Sequence, residues 1–253
     1  TDLDLIIIDD GGGGTNRKSA VSRLKTYFQS ATSLNDLTDA LVEDNSIYLG
    51  NDPSSTTSSA EYNVAAGTTA LDAVTTGDQN TAFGYNALTA NTTGATNTAV
   101  GYGALSSNTD GPSNTALGYN ALGTNTTGSS NLAFGVNALA SNTSGNSNEA
   151  FGVNALYSNT TGGFNTASGS RALKNNTTGD YNIASGYKAG ELITTGSNNV
   201  IIGYEADPSA NSASNQIVIG QGATGVADNS VTLGNANVTA IYMAQESGAT
   251  VYA

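Results

Sequence analysis

Any active site in this sequence would have to be built from carboxylates. There are 20 Asp and Glu against 7 Lys and Arg, with no cysteine and no histidine. That composition removes thiol chemistry, imidazole bases and the commonest metal ligand. Glycoside hydrolysis needs two carboxyl groups about 5–5.5 Å apart, or somewhat more for an inverting mechanism. Asp72 and Glu191 share a phase but stand seven coils of seventeen residues apart, and Asp78 and Asp180 stand six coils apart, too far along the chain for either pair to meet in adjacent layers. The glycines at 11–14 stand before Lys18 and Ser19, but Thr15, Asn16 and Arg17 intervene where a phosphate loop places glycine against the lysine. They read as a strand-to-helix turn, and Asp9 and Asp10 beside them are too little for a metal site. The N-x-T/S triplets at Asn91, Asn125, Asn142, Asn159 and Asn176 have the form of glycan acceptors, yet they recur at the repeat's turn and follow from its chemistry. The reading is therefore of no enzyme, with no catalytic, cofactor or metal residues.

The multiples of seventeen come from the organisation of the whole chain. Glycine stands at 50, 67, 84, 101, 118, 135, 152, 169, 186, 203 and 220 without a slip. Four residues earlier comes Asn, from Asn63 through Asn80, Asn97, Asn114, Asn131 and Asn148 to Asn199. Alanine stands three residues after the glycine from Ala70 to Ala189, usually with leucine next, and a second glycine recurs from Gly77 to Gly196. The unit is N-x-A-h-G-x-x-A-L-x-x-N-T-T-G-x-x. A fixed period with no 3.6-residue pattern means one coil of a solenoid per unit, each too small to bury a core alone. In T-A-F-G-Y, larger and smaller side chains alternate as in a strand with one tightly packed face. A second short strand is expected at A-L, and a turn at N-T-T-G, where Asn and Gly suit positive φ. The fold class expected is mainly β, a parallel β-roll or β-solenoid of seventeen-residue coils. Parallel strands lie about 4.8 Å apart, so ten periods give a rod on the order of 50 Å long.

Stacking places like residues above like, and ladders of Asn over Asn and Thr over Thr are expected. Arg171, Lys188 and Glu205 fall in one column and Lys174 and Glu191 in another, which predicts ion pairing between neighbouring coils. The rows Phe83, Val100, Leu117, Phe134, Phe151 and Tyr85, Tyr102, Tyr119 form long apolar stripes. They are either core or interface; a thin roll cannot cover both, so side-by-side association of copies is expected.

The ends differ. Residues 1–44 hold 12 of the 27 charges and read as strand (3–8), glycine loop and amphipathic helix (Ala20, Val21, Leu24, Tyr27, Phe28), a small α/β attachment or cap segment. Ser33 and Asp36 give a capping-box-like start to a further short segment carrying Leu34, Leu37 and Leu41. Residues 45–234 form the repeat shaft, whose last step, Gly220 to Gly234, shortens to fourteen; 235–253 form an extended C-terminal segment. A net charge of −13 argues against nucleic acid or an anionic membrane surface as partner, and the longest apolar run, 5–8, is far too short to insert in a membrane.

The units NSIYLG (45–50), NNVIIG (198–203), NQIVIG (215–220) and NSVTLG (229–234) resemble the head repeat N-S-V-A-I-G of trimeric autotransporter adhesins, whose fold is a left-handed parallel β-roll assembled as a trimer. The seventeen-residue N-T-A-h-G-Y-x-A-L unit is more similar to repeats of bacteriophage tail fibres, and LDLIIIDDGGGGTNRK resembles a module found upstream in them. Two departures from the adhesin pattern stand out: Asn80 and its equivalents lie one place nearer the glycine, and the period is longer. Nothing in this sequence resembles the adhesin's membrane-anchoring barrel or coiled-coil stalk, which favours the phage reading. The resemblance implies a homotrimeric virion fibre that joins tail or baseplate proteins through its N-terminal region and meets a host surface receptor of unspecified kind. The alternatives are a trimeric bacterial surface adhesin or extracellular filament. A lesser one is an ice-binding solenoid, since the threonine pairs 75/76, 92/93, 126/127, 160/161, 177/178 and 194/195 resemble the hydroxyl arrays of such proteins.

Overall fold

The computed structural model describes the backbone of residues 40–43 and, with their side chains, residues 45–50 and 59–239. Among the described residues there is no helix, and one sheet of thirteen strands runs in chain order. The strands are β1 (Ala40–Glu43), β2 (Ser46–Leu49), β3 (Val64–Ala66), β4 (Thr81–Phe83), β5 (Thr98–Val100), β6 (Thr115–Leu117) and β7 (Leu132–Phe134). They continue as β8 (Glu149–Phe151), β9 (Thr166–Ser168), β10 (Ile183–Ser185), β11 (Val200–Ile202), β12 (Gln216–Ile219) and β13 (Ser230–Leu233). From β2 onward every pairing is parallel, so the protein is a parallel β-solenoid with one strand per coil. The register keeps the seventeen-residue step, as in Ala82 beside Ala99 and Ala116, and the fourteen-residue step at the end still pairs Gln216 with Ser230.

Each short strand presents its middle residue inward and its flanks outward. Ala82 is buried between exposed Thr81 and Phe83, and the same pattern holds along the rod. Alanine fills the inward position from Ala65 to Ala184 because the roll is thin and leucine comes up from the opposite wall. The coil around Gly190 shows the volume rule. Glycine replaces the leucine there, Ile193 replaces the asparagine three residues on, and a Cβ on Gly190 would lie 3.5 Å from Ile193 Cδ1 and 3.6 Å from Ala184 Cβ. The isoleucine fills the space that the leucine leaves.

The A-L pair is not a second strand. Leu71, Leu88, Leu105, Leu122, Leu139, Leu156 and Leu173 all sit in turns at positive φ, between 49° and 55°, and all are fully buried. The left-handed conformation costs an L-residue about 1–2 kcal/mol. Burying a leucine returns about 2 kcal/mol or more, so packing overrides the backbone preference. The turn also satisfies its own peptide groups across coils: Leu88 N–H donates to Ala104 O at 3.0 Å and Thr92 N–H to Thr109 O at 3.0 Å. Inter-coil hydrogen bonds therefore encircle the roll instead of being confined to the strands.

At the first end β1 pairs antiparallel with β2, Leu41 opposite Tyr48, so Leu41 lies in a hairpin and not in a capped helical turn. The expected strand–loop–helix of residues 3–28 lies outside the described residues, as does the tail from 240 onward.

Candidate functional site

Three internal columns make the rod. In the first, Asn97 N–H donates to Asn80 Oδ1 at 2.9 Å while Asn80 Nδ2 donates to Gly94 O at 2.9 Å. The predicted residues Asn80, Asn97, Asn114, Asn131 and Asn148 all occupy this column and are buried. Ser46 and Gln216 hold the same position in the end coils. The leading Asn of the hexapeptide units belongs elsewhere. Asn45, Asn198, Asn215 and Asn229 lie one residue earlier, at φ between 54° and 62°, where asparagine serves the left-handed backbone.

The second column was read from sequence as turn chemistry only. Asn108 Nδ2 donates to Asn91 Oδ1 at 2.8 Å and to Gly111 O at 2.9 Å, and this pattern continues through Asn125, Asn142, Asn159 and Asn176. Val74 and Ile193 end the ladder, leaving Asn176 Oδ1 without a hydrogen-bond partner. All these amides are buried, so the N-x-T/S triplets offer no accessible acceptor nitrogen in the folded protein.

The third column is the predicted glycine series. Gly84, Gly101, Gly118, Gly135 and Gly152 have φ between 134° and 142°, a region open essentially to glycine alone. A Cβ on Gly118 would stand 2.5 Å from Gly135 O, so close coil-to-coil approach demands glycine a second time.

In the turns threonine lies over threonine as expected, but the hydroxyl bonds to the next coil's carbonyl and not to its hydroxyl. Thr92 Oγ1 donates to Thr109 O at 3.2 Å, Thr126 Oγ1 to Thr143 O at 3.0 Å and Thr177 Oγ1 to Thr194 O at 2.9 Å. The first threonine of a pair is thus committed to the next coil's carbonyl, and an ice-facing array would have only the second.

Charged groups collect near the C-terminal coils. Lys188 Nζ lies 3.1 Å from Glu205 as the column predicts, and that hydrogen bond holds the ammonium above its usual pKa. Glu191 does not pair with Lys174; Arg171 reaches it at 2.6 Å from a position three residues earlier. Burial pushes the Asp207 carboxyl above its usual range, opposed by the hydrogen bond from Leu192 N–H at 3.0 Å. A carboxyl raised in the folded state adds stability below its unfolded pKa, and that contribution is lost as pH rises through the folded value. Asp207→Asn keeps the acceptor oxygen and removes the charge, so it is expected to raise stability by a few tenths of a kcal/mol at pH 7 and by nothing at pH 3. Thermal unfolding of both chains at the two pH values checks this. Among the described residues no three acidic side chains gather closely enough to hold a metal ion.

The unused chemistry of the molecule lies on the outward strand face. Phe83, Phe134 and Phe151 are exposed, Phe83 at 60% and Phe134 at 52%, and Val100 and Leu117 lie between them in register. Tyr85, Tyr102 and Tyr119 are likewise exposed and form a stack with ring centroids 5.2 and 5.4 Å apart. None of the six predicted aromatics is in the core: Phe83, Phe134 and Phe151 end their strands on the outward side, Tyr85, Tyr102 and Tyr119 lie in the turns that follow, and alanine takes the inward position of each of these coils. Toward both ends the face becomes aliphatic, with Ile47, Leu49 and Val64 at one end and Ile183, Ile202, Ile217, Ile219, Val231 and Leu233 at the other. Over β2–β13 the two outward columns contain a single charge, Glu149. No family model matches this chain, and no similar protein was found among curated proteins or solved structures.

Proposed function

We propose that the protein is a structural fibre: copies associate through the outward strand face into a homotrimeric rod that forms part of a phage tail fibre and contributes to host-surface attachment. The observation that carries this reading is the strand face running the length of the rod, whose two outward columns are largely apolar and carry a single charge, Glu149. Twelve strands at about 4.8 Å spacing and three to four residues wide make a face of roughly 500–700 Å². That approaches the roughly 800 Å² per partner of a specific protein interface. Left bare, so long an apolar sheet face is an aggregation hazard.

The choice of a phage fibre rests on the resemblance of the repeat, with residues 1–44 serving attachment to tail or baseplate proteins. Mass spectrometry of tailed particles purified from a lysed host culture tests it. The expected result is that this chain copurifies with tail proteins. Recovery in the bacterial envelope or the particle-free medium instead would overturn it in favour of a surface adhesin or secreted filament.

A further inference from the structure

Glu149 breaks the pattern of the face. It opens β8 and is exposed, and the positions aligned with it in the neighbouring strands are Leu132 and Thr166. Two residues on, Phe151 lies beside Phe134. Elsewhere in this column stand threonines, aliphatics and no other charge. No titratable group faces Glu149 from β7 (Leu132, Ala133, Phe134) or β9 (Thr166, Ala167, Ser168). Asp180, in a later coil at the strand's edge, is engaged by Gly163 N–H at 2.7 Å. Among the described residues the Glu149 carboxylate has neither ion pair nor side-chain hydrogen bond.

We infer that Glu149 is a charge lock on assembly: the contact between copies brings Glu149 against its own equivalents among Leu132, Phe134 and Phe151, and neutralising the carboxylate tightens the assembly. This inference rests on the strand face being the copy-to-copy interface. Closed symmetry repeats one residue at one level of the rod, so an in-register trimer gathers three like carboxylates there. Like charges in a partly dehydrated contact oppose association unless each takes up a proton. The sign follows by linkage: the assembled form binds protons that separate chains release, so association strengthens as pH falls and weakens as it rises.

The test is analytical ultracentrifugation of the full chain across pH 4.5 to 8, for wild type, Glu149→Gln and Glu61→Gln. Glu61 is an exposed acid outside the strands and serves as control. Glu149→Gln is expected to associate at least about tenfold more tightly at pH 8, and wild type to approach it at pH 4.5. Glu61→Gln is expected to track wild type throughout. Assemblies of wild type and Glu149→Gln with the same pH dependence would overturn the lock and leave the interface standing. A chain monomeric in every variant and at every pH would overturn the interface itself.

Discussion

Gly118→Ala is expected to destabilise the rod by at least about 3 kcal/mol. The substitution forces an L side chain into φ 141°, which costs about 1–3 kcal/mol in backbone strain alone. It also places the new methyl 2.5 Å from Gly135 O and 2.7 Å from Gly135 C, backbone atoms that cannot step aside without parting two coils. The damage propagates because each coil is stabilised mainly by its neighbours. Gly103 supplies the control. It has φ 65° and nothing nearer than 4.0 Å to a built Cβ, and its column elsewhere carries Asn86 and Asn120 at nearly the same φ. Gly103→Asn is expected to change stability by no more than about 0.5 kcal/mol. Denaturant unfolding of the two variants checks the pair; equal losses would contradict the assignment of the two glycine roles.

The second large effect is expected at Asn125→Asp, which keeps the shape of the side chain and replaces its donor by an oxygen. Asn125 Nδ2 donates to Asn108 Oδ1 at 2.8 Å and to Gly128 O at 2.9 Å, so the aspartate would face two acceptors with no proton between them. Its remaining contact, from Asn142 Nδ2 at 2.8 Å, supports only one oxygen. A buried carboxylate so placed is expected to cost roughly 3–5 kcal/mol at pH 7. Protonation restores one donor, so the folded pKa of the new acid is raised. The loss therefore shrinks as pH falls below that value and is fully developed above it. Unfolding midpoints of wild type and variant measured from pH 3 to 8 should converge toward the acid end. A constant gap across the range would mean that the side chain does not face the ladder.

These two sites also mark the limit of what the sequence discloses. The strands, the glycine column and the Asn80 series are legible because each coil must match the one above it, so their phase cannot drift. Leucine at positive φ is not legible, since no turn chemistry announces it and only burial of Leu88 and its equivalents outweighs the strain. The second asparagine column was hidden for a related reason. Asn-Thr-Thr-Gly suits a turn whether or not the amide points inward, and its direction is decided by the narrow approach at Gly94 and Gly111. The aromatic rows were ambiguous between core and surface because sequence gives the alternation but not the thickness of the roll. Ile193 beside Gly190 and Ala184 reveals that thickness. Arg171, and not Lys174, pairs with Glu191 through a diagonal contact to the next coil, which arithmetic restricted to residues seventeen apart does not consider.

The proposal that the strand face joins copies into a trimer is tested most directly by light scattering on the purified native chain at neutral pH, beside a variant with Phe83→Asp and Phe134→Asp. Both residues are exposed and clear of the internal ladders, so the coil itself should survive, as circular dichroism would report. A wild-type mass three times that of the chain, falling to a single chain mass in the folded variant, is the predicted result. A wild type that remains a single chain at all concentrations, or a trimer indifferent to two charges placed in the apolar face, would contradict it.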